Sequence, residues 1–170
     1  DESTPVVSLT AGSSSISENA GSSITLTATA SVAPSTNVTV SLSASGTATS
    51  GTDYGAVSSI TILSGQTTGT ASFTPTDDST YEGNETAILA VSTVSGGDAI
   101  ENGDQSVTLT ITEDDSAPTV TLTSSAASVA ENGSALTLTA TLSNATTEDV
   151  TVSLATTGTG TSGTDYTAVS

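Results

Sequence analysis

The chain has 170 residues, 18 of them Asp or Glu, with no Lys, Arg or His and a formal net charge of −18. That balance excludes nucleic acid and anionic membrane surfaces as partners, since both need basic patches. The absence of Cys removes disulfides and thiolate metal sites.

Hydrophobic residues make up 34% of the chain and Ser plus Thr about two fifths. Low hydrophobicity with one-sided charge is a mark of disorder, but here the apolar residues alternate strictly with Thr and Ser. Ile24-Thr-Leu-Thr-Ala-Thr-Ala30, Val107-Thr-Leu-Thr-Ile-Thr112 and Leu136-Thr-Leu-Thr-Ala-Thr-Leu142 show the period of two that defines half-buried strands. In chain order the pattern predicts strands near 5–9 continuing to 16, then 22–30, 38–43, 59–63, 68–74, 85–93 and 106–112. Turns are expected at Gly21, Ala33-Pro-Ser-Thr-Asn37, Ser64-Gly-Gln66 and Gly96-Gly97. Pro75 stands where the fifth strand must stop, because proline cannot donate to a ladder. Seven short strands in about 110 residues predict an all-β, seven-stranded Greek-key β-sandwich of immunoglobulin type.

The chain repeats itself. Pro5-Val-Val-Ser-Leu9 returns as Pro118-Thr-Val-Thr-Leu122, Val38-Thr-Val-Ser-Leu42 as Val150-Thr-Val-Ser-Leu154, and Thr49-Ser-Gly-Thr-Asp-Tyr54 as Thr161-Ser-Gly-Thr-Asp-Tyr166, always 112 or 113 residues on. A repeat at fixed spacing predicts a tandem array. Residues 1–3 read as the tail of a preceding unit, 4–117 as a complete unit and 118–170 as the first half of the next, a window of a longer array. No apolar run reaches the length of a membrane helix. Asp1-Glu-Ser shows no basic signal segment, which suits a processed or internal start.

The acids are sorted. If each connection crosses the sandwich once, the first, third, fifth and seventh strands finish at one end. That end then receives Glu18, Asp53, the stretch Asp77-Asp-Ser-Thr-Tyr-Glu-Gly-Asn-Glu85, and Glu113-Asp-Asp115. Nine of the complete unit's twelve carboxylates gather there, and only Asp98, Glu101 and Asp104 lie elsewhere. Two like charges about 4 Å apart cost roughly 1 kcal/mol in water and roughly 4 kcal/mol at an effective dielectric of 20. With no internal cation, such a rim is either splayed into water or built around an external one. Oxygen ligands alone, in this number, point to Ca²⁺ at two or more ions per unit; Mg²⁺ wants a stricter octahedron and keeps its waters.

These stretches carry a resemblance. Ser17-Glu-Asn-Ala-Gly21, Gly46-Thr-Ala-Thr-Ser-Gly-Thr-Asp-Tyr54, Asp77-Asp-Ser-Thr-Tyr-Glu-Gly-Asn-Glu85 and Ile111-Thr-Glu-Asp-Asp115 resemble, in order, the motifs of the Calx-β family. That family occurs in the regulatory domains of sodium–calcium exchangers, in an integrin β subunit and in tandem arrays of large bacterial surface proteins. The resemblance implies calcium ligands at Glu18, Asp53, Asp77, Asp78, Glu82, Glu85, Glu113, Asp114 and Asp115, and at Glu131 and Asp165 in the partial unit. Ser79 and Gly83 depart from it where other members carry further acids, and Glu113 replaces the first Asp of the terminal run.

Catalysis is not expected, because there is no His, Cys, Lys or Arg to act as base, nucleophile partner or oxyanion clamp. The outward Thr columns suit the wet side of a strand. Tyr54 and Tyr166 read as anchors of their loops, and Asp98, Glu101 and Asp104 as a solvated loop. The expected function is structural: a Ca²⁺-rigidified repeat of an extracellular or cell-surface fibre, stalk or adhesin shaft. Its partners would be neighbouring repeats and other copies in a fibre. The rival reading is a calcium-dependent module that binds a glycan or a cell-surface protein.

Overall fold

The computed structural model describes residues 3–167, so Asp1 and Glu2 of the expected preceding tail and the last three residues of the partial repeat lie outside it. Contacts divide the chain into two units. The first takes in Asp1–Asp78 and Glu82–Asp115, the second Ser79–Tyr81 and Ser116–Ser170.

The alternation written in the sequence becomes nine strands in the first unit. They are β1 (Val6–Ala11), β2 (Ser15–Ser17), β3 (Ile24–Ala30), β4 (Val38–Gly46), β5 (Ser59–Ile62), β6 (Thr68–Phe73), β7 (Glu85–Ser95), β8 (Ile100–Glu101) and β9 (Ser106–Thr112). They form two sheets, ordered β6-β3-β1-β8 and β2-β9-β7-β4-β5. The long first strand splits, so that β1 serves one sheet and β2 the other. Each sheet turns its Val, Ile, Leu and Ala inward: Val7, Leu26, Ala28, Val38, Val40, Ile62, Leu89 and Leu109 are fully buried, while the alternate Thr and Ser face water. The chain folds as the immunoglobulin-like β-sandwich its pattern predicts. β8 was not expected: two residues are too short for an alternation to show, and it pairs in parallel with Val6 and Val7.

Tyr54 anchors its loop as expected. Its ring lies 4.6 Å from that of Phe73, centroid to centroid, and is buried in the core. Backbone bonds from Gly55 to Thr74 and from Thr76 to Asp53, both 2.9 Å, fasten this turn to the chain leaving β6. The Tyr54 hydroxyl itself is buried without a hydrogen-bond partner.

β4 ends at Gly46, whose φ of +116° is open to glycine and strained for other residues. A Cβ there would sit 2.2 Å from the Thr86 carbonyl oxygen. Gly46→Ala therefore carries conformational strain of about 1–3 kcal/mol on top of a backbone clash. The melting temperature of the first unit should fall by at least about 5 °C, and an unchanged melting curve would show that β4 does not end as described.

The second unit pairs β10 (Val120–Ser124) with β11 (Leu138–Leu142) in an antiparallel ladder. Its register repeats that of β1 with β3: Val7 pairs with Ala30 as Val120 does with Leu142. The Ser162–Tyr166 bridge repeats the Ser50–Tyr54 bridge.

Candidate metal centre

The site is assembled by strand direction. β2 runs parallel to β9, with Ser17 opposite Thr112, and the Glu18 N–H donates to the Thr112 carbonyl at 3.0 Å. The residues that follow the two strands, Glu18 and Glu113, are therefore delivered side by side. β7 is antiparallel to β9 and begins at Glu85 opposite Ile111, so the loop before it, 77–84, arrives at the same end. The Thr76–Asp53 bond brings the turn after β4 there as well.

Among the described residues, carboxylate oxygens lying within 4.8 Å of one another form two triads, Glu18 with Glu113 and Asp114, and Asp53 with Glu82 and Glu85. Around them, Asp78 donates its N–H to a Glu18 oxygen at 3.3 Å. Glu82 and Gly83 donate theirs to Glu113 Oε2 at 2.6 and 2.8 Å. Asp53 Oδ2 accepts the Thr49 N–H at 2.6 Å, and Asp165 Oδ2 accepts the Thr161 N–H at 2.8 Å in the second unit. Asp77 is exposed beside this network, and Asp115 donates its N–H to Glu113 Oε1 at 2.8 Å. Glu131 and Asp165 are both exposed and belong to neither triad. Asp98, Glu101 and Asp104 also stand outside the triads; Glu101 Oε1 accepts the Gln105 N–H.

Two amides belong to the site that the motifs did not single out. Asn84 Oδ1 accepts the Glu113 N–H at 2.9 Å, and Asn19 Nδ2 donates to Asp114. Asn84 also begins a glycosylation-type triplet, but its side chain is engaged in placing the chain after β9.

The electrostatics follow from burial without a counter-charge. Glu18 is only 8% exposed, and its pKa is pushed up to about 7, chiefly by desolvation and then by Glu113, Asp78 and Asp114. Glu85 also rises to about 7, through burial, the Asp53 charge and a hydrogen bond shared with Asp53. Desolvation first and neighbouring carboxylates second raise Glu82 and Asp115. Desolvation would raise Glu113 too, but the N–H groups of Glu82, Asp115, Gly83 and Asp114 outweigh it and its pKa falls.

The sign of the pH dependence is set by these shifts. A carboxyl group raised in the folded state stabilises the fold below its ordinary value, and that contribution disappears as pH climbs through about 7. The Glu113 contribution has the opposite sign, but it is lost only below the ordinary carboxylate range. In chelator the first unit should therefore melt several degrees higher at pH 5 than at pH 8. A melting temperature that is flat or rises over that interval would contradict the crowding described.

The donors fit a hard cation. Two oxygens on one Ca²⁺ at roughly 2.3–2.6 Å can be no more than about 4.6–5.2 Å apart, the span of each triad. All six donors are carboxylates, and no basic side chain competes for them.

Fold and site together define an immunoglobulin-like β-sandwich with an acidic end whose carboxylate triads could hold a metal ion. The family model for the Calx-beta domain matches residues 1–115 and again 113–170, and the chain belongs to the Calx-beta domain family. Among solved structures it is similar to CBD12 from CALX1.2, at 20% identity and a TM-score of 0.55, over 65% of this chain and 46% of that one. It is also similar to the apo form of the Calx CBD1 domain, at 20% identity and a TM-score of 0.51, over 64% of this chain and 98% of that one. The chain thus spans less than half of the first and nearly all of the second. No curated protein matches it. No helix among the described residues is long and apolar enough to cross a membrane, a statement that does not bear on membrane β-barrels.

Proposed function

We propose that the chain is a calcium-binding repeat of an extracellular fibre, stalk or adhesin shaft, stiffened by two or more Ca²⁺ ions in each complete unit. The observation that carries this reading is the pair of carboxylate triads, each drawn from separate loops and neither supplied with a cation by the protein. Ca²⁺ is the ion whose distances, oxygen preference and flexible coordination suit them. Glu18, Asp53, Glu82, Glu85, Glu113 and Asp114 are the inner ligands in this reading, with Asp77, Asp78 and Asp115 completing the shells. The tandem family match and the absence of basic residues favour a shaft over a sensor.

The mechanical part rests on the length of the connection. β9 ends at Thr112 and β10 begins at Val120, so seven residues join the units, and Glu113, Asp114 and Asp115 are among them. Ions that hold those three restrain nearly half of the linker. In a protein of two complete repeats, small-angle scattering should give a longer, stiffer particle with Ca²⁺ than with chelator. Asp114→Asn together with Asp115→Asn should move the Ca²⁺ form towards the chelated one. Equal maximum dimension and flexibility in all three states would contradict a stiffening role. A glycan array probed with and without Ca²⁺ separates the shaft from a binding module.

A further inference from the structure

Four Asn-X-Ser/Thr triplets stand in the chain, beginning at Asn37, Asn84, Asn132 and Asn144. Such a triplet is the acceptor pattern for N-linked glycans, and a bulky glycan requires a surface position with a free amide. The structure separates the four. Asn84 lies between Glu82 and Glu85, and its Oδ1 accepts the Glu113 N–H at 2.9 Å. Asn144 donates its Nδ2 hydrogens to the carbonyls of Ser116 and Ala145, at 2.9 and 3.4 Å. Asn132 follows Glu131, and its repeat counterpart Asn19 donates to Asp114 at the metal centre.

Asn37 differs on each count. It is exposed in the connection between β3 and β4, and its Oδ1 accepts the Ser64 N–H at 2.9 Å, which fixes the amide. Its nitrogen donates no hydrogen bond among the described residues. The connection is braced, because Ser64 Oγ donates to the Ser35 carbonyl at 2.8 Å and the Gly65 N–H to that of Pro34 at 2.9 Å. No Asp or Glu stands between Glu18 and Asp53 in the sequence. β4 spans nine residues, so Asn37 stands roughly 30 Å from the turn that carries Asp53. A glycan there leaves both triads clear. Leu63, 57% exposed, immediately precedes Ser64, so the first sugar would be rooted beside an apolar side chain. The repeat counterpart of Asn37 is Asp149, so the acceptor is particular to the first unit.

We propose that Asn37 is an N-glycan acceptor, taking an oligosaccharide from a lipid-linked pyrophosphate donor. A bond forms between Asn37 Nδ2 and the anomeric carbon as the bond from that carbon to the pyrophosphate oxygen breaks. The amide gives up one proton, the lipid pyrophosphate leaves with the electron pair, and no oxidant or reductant enters. Thr39, the third residue of the triplet, lies in β4 opposite Thr61 and Ser95, so transfer precedes closure of that sheet. Acceptance at Asn37 rests on the extracellular reading above, because N-linked transfer acts on exported chains.

The test uses the chain recovered from the cells that make it, cut with a glutamate-specific protease. Fragment 19–82 holds Asn37 and none of the other triplets. Its mass should exceed that of the bare polypeptide by a glycan, and peptide N-glycosidase should remove the excess and leave an aspartate in place of the asparagine. Sugars on Ser or Thr survive that enzyme. Asn37→Gln should abolish the excess, and so should Thr39→Val, which keeps the asparagine. The asparagines of the other three triplets should be unmodified. A bare fragment 19–82 from chains found outside the cell overturns the inference and leaves the extracellular reading standing. Bare chains confined to the cytoplasm overturn both. A glycan at Asn84, Asn132 or Asn144 overturns the sorting by hydrogen bonds, as does a glycosidase-released mass that survives Thr39→Val.

Discussion

Millimolar Ca²⁺ should raise the melting temperature of the first unit by several degrees, and 10 mM by about 10 °C or more. Sites of extracellular type bind with Kd of roughly 0.1–1 mM, so each independent ion adds about 0.4–1.4 kcal/mol at 1 mM and about 1.4–2.7 kcal/mol at 10 mM. Two ions at 10 mM then contribute about 3–5 kcal/mol, and a domain of this size gains roughly 4 °C per kcal/mol. The structure adds a reason to expect the upper part of that range. Glu18 and Glu85 are held in surroundings that disfavour their charge, so an ion binding there both makes new bonds and relieves existing repulsion. Mg²⁺ at the same concentration should do much less, because it demands a near-ideal octahedron and gives up its waters reluctantly.

The second large effect is a reversal of sign. Glu18→Gln with Glu85→Gln removes two crowded carboxylates, one from each triad. In chelator the variant should be at least as stable as the parent at pH 8, because the amides keep the shape and shed the charge. In 10 mM Ca²⁺ it should be several degrees less stable, since each ion has lost a ligand. The sign depends on the ion, so general damage to the fold cannot imitate it: misfolding would lower both melting temperatures. A variant destabilised equally with and without Ca²⁺ would place these glutamates in a purely structural role. The amide variants should also flatten the pH dependence between 5 and 8, because the two groups raised to about 7 are gone.

The strands were legible because their physics is local. A strand with one wet face writes a period of two into its residues, and β3, β6 and β9 appear where Ile24–Ala30, Thr68–Phe73 and Ser106–Thr112 alternate. The gathering of acids was legible at one remove, because the parity of the connections decides which loops share an end. The division of those acids between triads was not. Glu113 stands next to Asp114 and Asp115 in sequence, yet its role as the acceptor of four backbone N–H groups depends on how the loop around Gly83 turns. Asn84 was equally hidden: its amide reaches Glu113 only through the register of β7 against β9. β8 left no sequence trace, being held by backbone bonds to β1 rather than by a patterned face. Glu131 and Asp165 align with Glu18 and Asp53 in the sequence repeat, and Asp165 accepts the Thr161 N–H as Asp53 accepts that of Thr49.

The central claim is that the acidic end of the first unit is a calcium site and not a solvated rim. Isothermal titration of Ca²⁺ into the chelator-stripped chain at pH 7.5 tests it most directly. The account predicts saturable binding of at least two ions, reduced in number by Glu18→Gln with Glu85→Gln and accompanied by proton release as the raised carboxyl groups ionise. Titration heats no larger than those of dilution, with a melting curve unmoved by the same Ca²⁺, would contradict it.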